Sequence, residues 1–233
     1  MRALAAAEVV ALWEGGAQRH ALDRSALLCA WARPDLPGQA IVELPLGMVT
    51  ASLLRLREAS FGGRIQAHID CAGCGERLEL ALVISELLQP GTEGPHEIDV
   101  HGTRVRAPCL RDLAAVAHEP DTDRAARQLL AGCVLDSGDA NAPLDDRLRQ
   151  VEDALEALDP NADLALEVHC EMCGLTTTAQ IDAGELLWDE IDARAQTVLG
   201  EVHLLARAYG WTEGEILALG TARRAAYLAM VGG

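Results

Sequence analysis

The sequence predicts an α+β fold in which helices predominate. Half of the 233 residues are hydrophobic but only 3% are aromatic, so the core must consist mainly of Leu, Val, Ile and Ala. Apolar residues recur at helical spacing through most of the chain. They alternate with polar residues only in short stretches, chiefly beside two Cys-x-x-Cys-Gly motifs, which indicates small strand hairpins.

Three helices are predicted at the N-terminus, in a helical segment over 1–60. An apolar stripe indicates the first helix over 4–17. Asp23 is suited to cap a second helix that continues to about residue 32. After a proline-rich link, Thr50 begins a third helix, which ends at Phe61-Gly62-Gly63.

The first knuckle unit, over 61–90, consists of the turn Cys71–Gly75 and its flanking strands. Alternating apolar residues predict both strands, and Pro90-Gly91 ends the unit. The alternating residues are Ile65, Ala67 and Ile69 before the turn, and Leu78, Leu80 and Leu82 after it.

An insertion over 91–160 is predicted to contain a hairpin and three helices. The hairpin covers 96–106 and turns at His101-Gly102, and the helices cover 108–116, 123–134 and 145–158. We expect the acidic stretch Asp136–Pro143 to be locally disordered.

A second knuckle unit, over 161–183, repeats the first at a constant offset of 99 residues. With Cys71 aligned on Cys170, several further positions agree, which predicts an internal duplication of a helix–strand–knuckle–strand–helix unit. The matched positions are Ile69 with Val168, Gly75 with Gly174, Leu82 with Ile181, and Glu86-Leu87-Leu88 with Glu185-Leu186-Leu187.

The C-terminal segment, over 184–233, is predicted to be helical. Asp182 and Glu185 are spaced as a capping box for a long helix over 184–208 that ends at Tyr209-Gly210. Thr212–Glu215 is a second capping box, and Thr221 caps a final helix. We expect Tyr227, Leu228 and Val231 to lie on the buried face of that helix, and all five segments to form one compact domain.

The four knuckle cysteines, Cys71, Cys74, Cys170 and Cys173, predict one structural zinc ion held in a zinc-ribbon-like core. Two Cys-x-x-Cys turns supply the four thiolates that tetrahedral zinc requires. Gly75 and Gly174 follow the turns and can adopt a positive φ, so that backbone amides point at the sulfurs. A rubredoxin-like iron or iron–sulfur site, a redox dithiol, and unmetallated cysteines are the alternatives.

The remaining cysteines and the nearby histidines are expected to be structural. Cys29, Cys109 and Cys133 are interpreted as small buried hydrophobes. His68 and His169 are interpreted as solvated strand residues, because strand alternation turns His169 away from Cys170. Cys109 stands where a helix cap is expected, and since cysteine caps poorly, we expect packing to hold that helix start.

Charge and motifs restrict the function. The net charge of −17 argues against binding nucleic acid or an anionic membrane. No segment is apolar enough to span a bilayer, and Glu8 interrupts the only signal-like stretch. The odd count of seven cysteines favours a reducing, cytoplasmic location. No phosphate loop, nucleophile elbow or zinc-protease motif is present, so we expect no enzymatic activity.

Four stretches together resemble the baseplate hub proteins and hub-assembly chaperones of T-even-type contractile phages, in the version found in phage-tail-like contractile injection systems. The resemblance covers nearly the whole chain and is most specific in the tail. The stretches are Ala11–Gly16, Leu44–Gly47 with Leu56–Gly62, Asp70–Leu80, and Glu201–Trp211 with Ile216–Leu219 and Arg223–Leu228.

This resemblance implies a non-enzymatic role in building a baseplate hub, with hub or spike proteins as partners and the cytoplasm or the finished particle as the location. Long helix 184–208 is the expected contact, together with Trp211, Arg223, Arg224 and Tyr227. A zinc-ribbon adaptor or regulator that binds protein or nucleic acid is the alternative, and a metalloenzyme would need an open coordination position.

Overall fold

The computed structural model describes residues 1–89, 96–136 and 144–231, without the side chains of 144–148. It has the mixed α+β class, with helices predominating, that the sequence predicts. The described helices are α1 (Ala6–Gly16), α2 (Ala21–Ala32), α3 (Gly38–Val42), α4 (Leu46–Phe61), α5 (Ile84–Leu87), α6 (Leu110–Val116), α7 (Thr122–Cys133), α8 (Leu144–Leu158), α9 (Ala183–Tyr209), α10 (Glu213–Leu217) and α11 (Thr221–Val231). The described strands are β1 (Arg64–Asp70), β2 (Arg77–Val83), β3 (Glu97–Val100), β4 (Thr103–Arg106), β5 (Val134–Asp136), β6 (Leu164–His169) and β7 (Thr176–Ile181).

Helix α9 is the central element of the main hydrophobic core. It contacts α1, α2 and α4 along its N-terminal part, where Leu187, Ile191 and Ala195 are fully buried. Its C-terminal part contacts α10 and α11. The side chain of Asp182 caps the helix by accepting hydrogen bonds from the backbone N–H groups of Gly184 and Glu185, as the sequence predicts. In the described part of the chain, no helix combines the length and apolar character that crossing a membrane requires.

Helix α4 begins at Leu46, so the predicted start at Thr50 is wrong. The backbone N–H of Gly47, in the first turn, donates to Asp159 Oδ2 at 2.8 Å, and Asp159 is buried. A side chain at Gly47 would collide with this carboxylate. The group that satisfies the helix N-terminus therefore comes from a residue 112 positions away, and no local pattern could indicate it.

Three smaller differences from the sequence predictions concern element boundaries. Helix α2 begins at Ala21, with His20 rather than Asp23 at its N-cap. The short helix α3 and the short strand β5 were not predicted. The predicted disordered stretch Asp136–Pro143 lies, apart from Asp136, outside the described residues, as does Pro90-Gly91.

Two antiparallel hairpins, β1–β2 and β6–β7, flank the knuckle turns. All six residue pairs of β6–β7 have a counterpart in β1–β2 at the same offset of 99 residues. For example, Ile69 faces Leu78 in the first hairpin and Val168 faces Thr177 in the second. Each hairpin is also preceded and followed by a helix. The repeat at 99 residues in the sequence therefore appears in the structure as two hairpins with the same strand pairing.

The insertion forms a second, smaller hydrophobic core. Val105, Cys133, Val151 and Leu155 are its buried members, contributed by β4, α7 and α8. The start of α6 is held by Asp112, which accepts hydrogen bonds from the backbone N–H and the thiol of Cys109. Because Asp112 also forms a bidentate ion pair with Arg106, this helix start is held by charge as well as packing. These charged contacts add to the predicted packing, since Cys109 and Leu110 are both buried.

Arg57 links the main core to the first hairpin. Its side chain is only 5% exposed and forms a bidentate ion pair with Glu190 on α9. Its remaining nitrogen donates to the backbone carbonyls of Gly62 at 2.5 Å and Arg64 at 2.6 Å. One guanidinium thereby connects α4, α9 and the start of β1.

We predict that Arg57→Met lowers the free energy of unfolding by about 3 kcal/mol, because it leaves Glu190 and two carbonyls without their buried partner. Arg55→Met on the exposed face of the same helix should change it by less than about 0.5 kcal/mol. Urea denaturation of the wild-type protein and the two variants measures both values. Equal losses in the two variants would show that Arg57 does not hold these elements together.

Candidate metal centre

The first knuckle is a tight turn closed by backbone hydrogen bonds. The N–H of Gly75 donates to the carbonyl of Cys71, and the N–H of Cys71 donates to the carbonyl of Glu76, both at 2.8 Å. Gly75 has a φ of +73°, which residues with a side chain rarely adopt. This glycine allows the chain to reverse while both cysteine side chains remain on one side of the turn.

The second knuckle has the same backbone geometry. The N–H of Gly174 donates to the carbonyl of Cys170 at 2.8 Å, and the N–H of Cys170 donates to that of Leu175 at 2.9 Å. The φ of Gly174 is +75°. The predicted positive φ values at the two knuckle glycines are therefore present.

The two turns bring all four sulfurs together. Cys71 Sγ lies 3.6 Å from Cys173 Sγ, and Cys74 Sγ lies 3.7 Å from Cys170 Sγ. All four sulfurs lie within 4.8 Å of one another. Four thiolates around a tetrahedral zinc ion with bonds of about 2.3 Å have sulfur–sulfur edges of about 3.8 Å. The cysteines therefore fit a single metal ion, and each hairpin supplies two ligands.

Burial and backbone dipoles are distributed unequally over the cluster. Cys71 and Cys170 are buried, whereas Cys74 and Cys173 are exposed. Hydrogen bonds from the backbone N–H groups of Gly73 and Cys74 lower the pKa of Cys71 to about 7. Cys71 can thus supply a thiolate, the form in which cysteine binds metal, near neutral pH.

Gly73 lies where the two knuckles meet. The sequence patterns did not mark it as part of the site. A Cβ at this position would lie 3.1 Å from a methyl group of Leu175 and 3.3 Å from Cys173 Sγ. Its backbone N–H lies 3.4 Å from Cys71 Sγ. The only sequence signal is a glycine at one of the two intervening positions of the first motif, whereas Met172 occupies the equivalent position in the second.

His68, His169 and the three remaining cysteines are not members of the four-cysteine cluster. His68 and His169 are exposed, and His169 Nδ1 lies 3.3 Å from Thr176 Oγ1. Cys29, Cys109 and Cys133 are buried. Burial raises the pKa of Cys29 to about 11 and that of Cys133 to about 12, and it also raises the pKa of Cys109. Cys29 and Cys133 are members of the two hydrophobic cores, as the sequence predicts. Cys109 is also buried, but its thiol donates to Asp112, so the prediction of a small hydrophobe describes it only in part.

The predicted partner-contact residues lie in two different environments. Trp211 stacks on Tyr209 at 4.7 Å and meets Tyr227 edge-on at 4.8 Å. Arg223 is exposed. Arg224 is only 1% exposed and donates to Glu201 on α9 at 2.6 Å. The prediction of Arg224 as a partner contact is therefore wrong, because this side chain is used inside the fold.

Helix α9 is also unsuited to the partner role expected for 184–208. Its apolar stripe is covered by α1, α2 and α4 in the N-terminal part and by α10 and α11 in the C-terminal part. Only the C-terminal end carries a large exposed apolar side chain, Leu204, which is 49% exposed. An exposed large apolar side chain is therefore available to a partner only in the last turns of this helix.

No protein-family model matches this chain. No curated protein and no solved structure matches it either.

We predict that Cys71→Ser and Cys170→Ser each abolish stoichiometric metal binding, because each hairpin supplies only two of the four ligands. Cys133→Ala, in the separate smaller core, should retain the metal. Elemental analysis of the purified proteins measures the metal-to-protein ratio, and circular dichroism monitors folding. Loss of only half of the bound metal in either variant would mean that each knuckle binds its own ion.

Proposed function

We propose that the cluster binds one structural zinc ion. Four thiolates on two rigid turns match the closed coordination of structural zinc sites, and the sulfur spacing fits the zinc–thiolate bond length. Iron can occupy the same type of ligand set, so the metal content of protein purified without added metal distinguishes the two. Binding contributes folding free energy of the order of 10 kcal/mol, because the unfolded chain has no preformed site.

We also propose that the two knuckle units arose by duplication and now form one zinc-ribbon-like core. The equal strand registers and the equal hydrogen bonds at Cys71 and Cys170 support this origin. The same zinc ion then joins the copies near their pseudo-twofold axis. Because four cysteines leave no coordination position for a substrate, the site serves architecture rather than catalysis.

We further propose that this rigid, non-enzymatic scaffold assists assembly of the baseplate hub of a contractile phage tail or a phage-tail-like injection system. The resemblance of the chain to hub proteins and hub-assembly chaperones supports the role. The single structural observation that carries it is the closed four-cysteine cluster, which can hold a binding surface rigid without reacting. A reducing cytoplasm is the proposed compartment, because the four thiols must remain reduced to bind metal.

The proposed partner surface lies at the C-terminal end, on Tyr209, Trp211 and Tyr227. Tyr209 is 39% exposed, and the three rings contact one another. Leu204 on α9 and Met230 on α11 are further exposed apolar side chains on the same two helices as Tyr209 and Tyr227, at 49% and 69% exposure. Clustered aromatic and aliphatic side chains of this kind commonly provide the central contacts of protein interfaces. We infer that this surface contacts the hub or spike protein.

The test is co-purification with hub and spike proteins of a contractile tail-like particle, chosen from genes beside this one where such genes are present. We predict that the wild-type chain retains one of them and that Trp211→Ala weakens the complex at least about tenfold, as expected for an aromatic residue at the centre of an interface. Trp31→Ala, on α2 with 37% exposure, is the matched control and should bind normally.

Failure of the wild-type chain to retain any neighbouring hub or spike protein would contradict the proposed role. Equal weakening by Trp211→Ala and Trp31→Ala would instead contradict the proposed contact surface, but it would not contradict the assembly role. Salt-sensitive binding to duplex DNA at physiological ionic strength would favour the adaptor alternative.

A further inference from the structure

A cleft of about 740 Å³ lies between α7, α8 and the turn that leads into β6. Its walls include apolar side chains from both helices, and its rim is acidic. We call it the acidic cleft and define it by these side chains: Leu129, Leu130 and Leu155 on the apolar floor, and Glu152, Glu156 and Asp163 on the rim.

The described residues that line the cleft include carboxylates but no positively charged side chain. Glu152, Glu156 and Asp163 are exposed, and none of them forms an ion pair with a side chain in the described ranges. Asp153 adds a further exposed carboxylate on α8. Among the described side chains that line the cleft, the carboxylates are therefore not paired with a positive charge, in a protein whose net charge is already −17.

The spacing of the rim carboxylates opposes helix formation. Glu152 and Glu156 are four residues apart on α8, so they lie on one face and repel each other. A cationic group between them would remove this repulsion. The two carboxylates lie about 6 Å apart along the helix axis, which matches basic residues one turn apart on a second helix.

Asp159 lines the inner wall of the cleft but is used inside the fold. It is only 5% exposed. Its Oδ2 accepts the hydrogen bond from the backbone N–H of Gly47, and its Oδ1 lies against the same glycine, where a Cβ would be. The charge that faces the cleft therefore comes from the exposed rim carboxylates.

We propose that the acidic cleft binds a basic amphipathic helix of a partner protein. Leucine-like side chains of that helix contact the apolar floor, and its Arg or Lys residues, one turn apart, pair with Glu152 and Glu156. An apolar floor with an acidic rim selects this class of ligand, since neither a purely polar basic chain nor an uncharged apolar helix satisfies both parts. The inference goes beyond the proposed assembly role and does not depend on it.

A synthetic peptide tests the proposal on the full-length, metal-loaded protein. The probe has about 18 residues, enough to form a helix, with leucines on one face and arginines at i, i+4 positions on the other. A scrambled peptide of the same composition has equal charge but no apolar face. Fluorescence anisotropy should show saturable binding of the first peptide and at least about tenfold weaker binding of the second, because only the first can bury leucines on the floor.

Variants locate the binding site. Glu152→Gln/Glu156→Gln should weaken binding about tenfold through loss of two rim ion pairs. Glu86→Gln/Glu213→Gln removes the same net charge at exposed positions outside the cleft and should bind like the wild type. Ala157→Trp fills the cleft from its exposed wall and should block the peptide without removing any charge.

Equal weakening by the two glutamine pairs, or equal affinity for the scrambled peptide, would show attraction by net charge alone and would overturn the proposal. Peptide binding that survives Ala157→Trp would place the ligand elsewhere and would also overturn it. Self-association of the wild-type chain that Ala157→Trp abolishes would make a second copy the occupant instead. Loss of the hub or spike complex in Trp211→Ala does not affect these outcomes, so the two proposals fail separately.

Discussion

The fold depends on the meeting of two turns that are 99 residues apart in the sequence. Each turn provides only two sulfurs, and neither can complete a tetrahedral site alone. Once the sulfurs meet at 3.6–3.7 Å across the hairpins, residues 71 and 170 are fixed relative to each other, and the intervening insertion becomes a closed loop. Our proposal of a shared structural zinc ion follows from this geometry, because such an ion adds its binding energy to the folded state alone.

Three polar contacts between distant segments fix the positions of the two hairpins relative to the core helices. Arg57 joins α4 and α9 at the base of the first hairpin. Asp159 satisfies the start of α4 from just before the second hairpin, and Asn161 exchanges two hydrogen bonds with the backbone of Gln89. Buried polar groups therefore attach the base of each hairpin to the core. The four cysteines bring the turns of the two hairpins together at the opposite end.

The sequence predicts those parts of the fold that depend on local patterns. Alternation around Cys71 and Cys170 indicates both hairpins, the 99-residue offset anticipates their equal registers, and the apolar stripe predicts the long helix α9. The start of α4 and the burial of Arg224 were missed because their causes, Asp159 and Glu201, are distant in sequence. The acidic cleft was missed for the same reason, since its floor and rim come from segments that meet only in the folded chain.

The most direct test of the central proposal is zinc K-edge X-ray absorption of the protein purified under reducing conditions. A single ion held by Cys71, Cys74, Cys170 and Cys173 predicts one zinc per chain with four sulfur neighbours at about 2.3 Å. A first shell that contains nitrogen or oxygen neighbours at about 2.0–2.1 Å would contradict it, because the site would then have a ligand other than the four thiolates. Protein without bound zinc would contradict it as well.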